Sequence, residues 1–136
     1  MKPILLSAII LASLSFTLTA ADPTVNVYFC VGKDENCEPI GNKGTWDVDD
    51  ANKCKILIVG KNLKGKKLTV KVFREGRFST RAKIDDVFTL DVEAGGKVCD
   101  FVPYKFDSRG DYYVRVYDEN GEEIGKGQVD MEEDFF

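Results

Sequence analysis

In eight short stretches of this chain, apolar and polar residues alternate with a period of two, and clusters of Gly, Asn and Asp stand between the stretches. Such alternation puts one face of each stretch in a core and the other in water, as an antiparallel β-sheet requires. The stretches are residues 25–31, 54–59, 67–73, 77–84, 87–92, 98–102, 112–117 and 123–130. No run of ten or more residues carries a helical period. With no helices to cover a parallel sheet, the expected fold is all-β, an antiparallel sandwich of about seven or eight strands, with a small β-barrel as the alternative.

The joints agree with this reading. Asp118, Glu119, Asn120 and Gly121 supply the residues that tolerate positive φ in a hairpin, and Gly95-Gly96 can do the same between two other strands. Arg74, Glu75 and Gly76 read as a three-residue loop. That loop sets a register in which Phe73 faces Arg77, Lys71 faces Ser79, Thr69 faces Arg81 and Lys67 faces Lys83. Leu68, Val70, Val72, Phe78, Thr80, Ala82 and Ile84 then form one apolar, inward face.

The first residues read as a secretory signal peptide. Lys2 is the positive start, an apolar run extends from Ile4 to about Leu18, and Thr19-Ala20-Ala21 supplies the small residues that signal peptidase accepts. Cleavage is expected after Ala21, or after Ala20. The run is shorter than the roughly 20 strongly apolar residues of a transmembrane helix, and no cysteine at the cleavage point supports a lipid anchor. The expected organisation is a signal peptide over residues 1–21 and a single β-sandwich domain over 22–136, periplasmic or secreted. Without Lys2, the 19 basic and 23 acidic side chains become 18 and 23, a modest acidity that favours solubility.

Cys30, Cys37, Cys54 and Cys99 all follow the leader, and four cysteines in an oxidising compartment read as two disulfides. Of three connectivities, the expected one is Cys30 with Cys37 as a local clip and Cys54 with Cys99 as a bridge between two strands. A zinc site is the rival, but the chain has no CxxC pair and no histidine.

The stretch Asp107-Ser108-Arg109-Gly110-Asp111-Tyr112-Tyr113-Val114-Arg115-Val116 resembles the start of the penultimate strand of immunoglobulin-like domains, where a Gly two residues before a Tyr helps to form a tyrosine corner. The likeness covers about ten residues. It departs from antibody-type domains at Val114, where a cysteine would stand, and at Trp46, which precedes Cys54 instead of following it. What the resemblance implies is a generic Ig-like sandwich with no activity attached, in which Tyr112 serves the fold.

The absence of histidine excludes much chemistry. Ser-His-Asp and Cys-His nucleophile activation both need an imidazole, as do most catalytic zinc sites. There is no GxxxxGK[ST] and no GxGxxG after a strand, so no cofactor is expected. Asp47, Asp49, Asp50, Asp85 and Asp86 could serve a carboxylate-dependent glycan hydrolase, the reading kept as an enzymatic alternative. The stretch 47–52 has alternating oxygen donors like a calcium loop, but Asn52 and Ile58 stand where an EF-hand needs Gly and Glu, and no metal ligands are assigned.

Charge supplies the positive signal. From Lys53 to Lys83, eleven basic residues are opposed only by Glu75, while from Ile84 onwards fifteen acids face five bases. The proposed hairpin gathers Lys67, Lys71, Phe73, Arg77, Arg81 and Lys83 into a basic face around one aromatic anchor. The expected function is therefore that of a non-enzymatic, exported module that binds a protein, in particular an acidic one, or else an anionic glycan or lipid head group. Nucleic acid is not expected. The opposing expectation is that acidic strands lie alongside and neutralise this face. A second functional alternative is a periplasmic inhibitor or immunity protein that blocks an enzyme with a loop at residues 30–37 or 42–50.

Overall fold

The computed structural model describes residues 22–75 and 83–133. Among these described residues ten strands follow one another: β1 (Thr24–Cys30), β2 (Gly32–Lys33), β3 (Pro39–Ile40), β4 (Thr45–Asp47), β5 (Lys55–Lys61), β6 (Lys67–Glu75), β7 (Lys83–Asp91), β8 (Val98–Val102), β9 (Gly110–Tyr117) and β10 (Glu123–Glu132). A short 3-10 helix, Val48–Lys53, links β4 to β5. The strands form an all-β sandwich and not a closed barrel. One sheet has the order β1-β5-β8 and the other β4-β10-β9-β6-β7, with β2 and β3 as a separate hairpin.

The alternation explains the layers. Phe29, Ile56, Ile58, Val98 and Val102 from the three-stranded sheet meet Leu68, Val70, Val72, Tyr112, Val114, Val116, Val129 and Met131 from the five-stranded one, all buried in one core. The sheets approach most closely where β1 crosses β10. A Cβ at Gly125 would lie 2.7 Å from Val25, and one at Gly127 would lie 2.9 Å from Val27. Those two glycines take the inward positions that Val129 and Met131 continue, and their missing side chains make room for the valines.

One end of the core is aromatic. Phe106 packs edge-on against Tyr112 with centroids 4.9 Å apart and against Tyr104 at 5.0 Å. The Tyr112 hydroxyl donates 2.7 Å to the backbone carbonyl of Ser108, four residues upstream, from a fully buried ring. This is the geometry of a tyrosine corner. It ties the loop before β9 to the strand and satisfies a phenol that burial would otherwise penalise.

Two sequence expectations need correction. The first is the hairpin register. β6 runs on through Glu75, Arg74 pairs with Lys83, and Lys67 pairs with Asp91, so Arg74 and Glu75 belong to the strand and not to a three-residue loop. In this register Leu68 faces Leu90 and Val70 faces Phe88 on the core side. Lys67 makes an ion pair with Asp91 at 3.0 Å, where the expected register set two lysines opposite each other, an arrangement that costs stability. A bulge between Val72 and Phe73 shifts the parity of β7, and Ile84, expected to point inward, is 55% exposed. Phe78, Ser79, Thr80 and Ala82 lie outside the described residues.

The second correction is the disulfide. Cys37 is bonded to Cys99, while Cys30 and Cys54 are free and buried. Cys30 sits opposite Lys55, so it shares a face with Lys55, and its neighbour Cys54 projects to the other face, into the core. Cys99 sits opposite Val59, on the outer face and away from Cys54. The β2-β3 hairpin folds back over that outer face. Its turn is set by the Asp34 carboxylate, which accepts from the backbone N–H groups of Asn36 and Glu38 at 2.9 Å, and Cys37 takes a left-handed φ of 64° there. Lys33 donates 2.9 Å to the carbonyl of Cys99 and stands over the Phe101 ring. Cys30 and Leu57 are both at 0% exposure beneath this cover. Burial pushes the Cys30 thiol up, and it pushes the Cys54 thiol up to about 12.

A bridge across 62 residues should be worth about 4 kcal/mol through the unfolded chain alone, so Cys99→Ser is expected to lower the free energy of urea unfolding by that amount. Thiol titration should find no reactive sulfur in the native protein and two per chain in denaturant. A result of zero in denaturant would mean that Cys30 and Cys54 are bonded.

Candidate binding face

The outer face of the five-stranded sheet is built by three adjacent central strands, β6, β9 and β10. Their registers bring residues from distant parts of the sequence into rows that run across the strands. Lys71 stands opposite Arg115, and Arg115 opposite Lys126. In the next row Phe73 stands opposite Tyr113 and Tyr113 opposite Gln128, and beyond it Glu75 opposite Asp111 and Asp111 opposite Asp130. The face is therefore ordered along the strands as a basic row, an aromatic row and an acidic row. The outer rows are four residues apart, about 13 Å.

In the basic row, the Arg115 guanidinium lies 5.6 Å from the centre of the Phe73 ring and reaches Glu123 at 3.5 Å. The Lys71 ammonium lies 4.9 Å from the Tyr117 ring. These cation–π contacts spread positive charge over aromatic faces. Among the described residues, no carboxylate forms an ion pair with Lys71 or Lys126. Tyr113, Arg115, Lys126, Gly127 and Gln128 line a shallow depression of about 370 Å³ between β9 and β10.

In the acidic row, the Asp111 carboxyl stands beside the Asp130 carboxylate. That neighbour's capacity to share a proton, with partial burial and the charges of Asp130, Glu75 and Glu132, holds the Asp111 carboxyl up at about 6. Tyr113 donates 3.0 Å to Glu75. Glu132 stands opposite Asp47 on the edge strand β4, which extends the acidic corner.

The expected binding residues divide. Lys67, Lys71 and Phe73 lie on one face of β6, but Asp91 takes up Lys67. Lys83 begins β7, exposed at the sheet edge opposite Arg74. Arg77 and Arg81 lie outside the described residues. Residues the sequence reasoning missed are Arg115, Lys126, Tyr113 and Tyr117, all added by pairing between strands far apart in sequence. The alternation of Tyr113, Arg115 and Tyr117 was the available signal, since it marks an outward face that is aromatic and basic.

The other candidate sites have local roles. Asp47 caps the 3-10 helix by accepting from Asp49 N–H, and Asp50 pairs with Lys53 at 3.3 Å. Asp85 accepts a hydrogen bond from Tyr104 at 2.6 Å. β4 and β7 are opposite edges of the same sheet, so Asp47 and Asp85 are about 19 Å apart by strand spacing, too far for the paired carboxyls of a glycosidase. The hairpin at residues 32–40 is tied to its sheet by the Cys37–Cys99 bond and by Lys33.

Among the described residues, no helix is long and apolar enough to cross a membrane, and the Cys37–Cys99 bond suits an oxidising compartment. No family model, curated protein or solved structure matches the chain.

The Asp111 carboxyl gives a pH signature. Its folded value lies above the usual carboxylate range near 3.9, so the folded state favours the protonated form. Its contribution to stability is greatest below about pH 4 and is lost as pH rises through 6. Asp130→Asn should reduce that loss, leaving the part due to burial, Glu75 and Glu132. Urea midpoints at pH 5 and pH 7 are expected to show the variant gaining on the wild type at the higher pH.

Proposed function

We propose that this protein is an exported, non-enzymatic binding module of Ig-like build, which holds an acidic protein segment against the basic and aromatic rows of its five-stranded sheet. The observation that carries this reading is the row Lys71, Arg115 and Lys126, set directly across three neighbouring strands. Like charges so placed cost stability, and Glu123 reaches only Arg115. A carboxylate-bearing partner would relieve the repulsion, with Phe73 and Tyr113 offering apolar contact and Arg115 a fork-shaped donor.

The Ig-like build is supported by the sheet orders β1-β5-β8 and β4-β10-β9-β6-β7, with β4 running parallel to β10. The hydrogen bond from Tyr112 to the Ser108 carbonyl also fits. Export is supported by the leader-like first residues and by the disulfide. A non-enzymatic role is supported by the lack of histidine and by the placing of Asp47 and Asp85 on opposite edges of one sheet.

The test replaces Lys71, Arg115 and Lys126 together by Glu and compares capture of envelope or secreted proteins with that of the wild type. At low salt the wild type should retain a specific partner that moderate salt releases, and the triple variant should lose it by at least tenfold. An unchanged set of captured proteins would exclude this face.

A further inference from the structure

The three rows have a symmetry that the basic row alone does not. Along β6 the outward residues are Lys71, Phe73 and Glu75; along β10 they are Lys126, Gln128 and Asp130; along the antiparallel β9 they are Arg115, Tyr113 and Asp111 when read in the same direction. Each strand thus carries a base, a neutral residue and an acid at the same heights. A twofold axis lying in the face along the middle row exchanges the two charged ends of every strand and leaves the middle row in place.

We infer that this face is an interface between two copies of the chain, in which each copy lays its basic row on the acidic row of the other. The proposal rests on the binding role of the face and names the partner as a second copy. Under that twofold operation Lys71 meets Glu75 of its mate, Arg115 meets Asp111 and Lys126 meets Asp130. Phe73, Tyr113 and Gln128 meet themselves. Such self-complementarity is what an isologous dimer requires. It answers both local problems of the face, because the opposed cations and the opposed carboxyls each receive counter-charges. A twofold axis along the strands would instead set cation on cation and acid on acid.

The size of the face fixes the character of the dimer. Four inter-strand steps by nine residues of strand give on the order of 600 Å² per copy, at the lower end for a specific complex. The association is therefore reversible, driven by concentration and weakened by salt.

Sedimentation across a concentration series tests this. The wild type should pass from monomer to dimer at low salt and return towards monomer in 0.5 M salt. The acidic-face variant Lys71→Glu/Arg115→Glu/Lys126→Glu and the basic-face variant Glu75→Lys/Asp111→Lys/Asp130→Lys should each stay monomeric, and their equimolar mixture should recover the dimer. Because the second variant burdens the fold, Gln128→Cys gives an independent reading. It stands on the axis, so under oxidised glutathione it should cross-link to its mate, whereas Lys126→Cys should not. A wild type that stays monomeric at every concentration, or single-sign variants that dimerise as well as wild type, would overturn the dimer. Should that happen while the acidic-face variant still loses its captured partner, the dimer falls and the binding face stands.

Discussion

The buried side of β6 and β9 decides what their exposed side must tolerate. Val70, Val72, Val114 and Val116 are completely buried and pair directly, Val70 with Val116 and Val72 with Val114. Because side chains alternate, a slip of one residue in either strand would turn its two valines into water. The register is therefore not free to respond to charge, and Lys71 and Arg115 must stand opposite each other. The same holds on the other side, where the buried pair Tyr112 and Val129 keeps Asp111 opposite Asp130. The core sets the pattern and the surface inherits it, including two rows of like charge that a surface optimised for stability alone would avoid.

Local patterns made most strands legible, since period-two alternation needs no knowledge of the partner strand. The segment 98–102 matches β8 end to end, and the Asp118 to Gly121 turn closes the β9-β10 hairpin as its composition suggests, with Gly121 at φ 80°. Partnership was less visible. The expected hairpin satisfied the apolar face of β6 equally well, because either candidate segment offers alternating residues. What discriminates is Asp91 against Lys67 and the leucine pair at Leu68 and Leu90, information that lies beyond the loop. The two-residue strands β2 and β3 were too short to carry a period at all.

The candidate face shows the same division. Lys71 and Phe73 were legible because the basic segment is contiguous in sequence. Arg115 and Lys126 sit in the acidic half and look outnumbered there, yet the sheet order sets them beside Lys71. Net charge along the chain was a poor guide to charge across the sheet, where each central strand carries both signs at its two ends. Asp91 of the acidic half takes up Lys67 of the basic one, while Glu123 reaches Arg115 within the acidic half itself.

The hairpin that covers Cys30 and Leu57 imposes an order of events on the growing chain. Ile56, Leu57 and Ile58 are all at 0% exposure, so β5 must become dry on both sides. Its inner side can be covered as the second sheet assembles. Its outer side can be latched only when Cys99 is present, sixty-two residues after Cys37 has emerged. Until then a half-made molecule carries a wet apolar strip and an unattached thiol, the kind of surface that folding helpers and thiol oxidases engage. Closure of that one loop takes the outer side of β5 out of water.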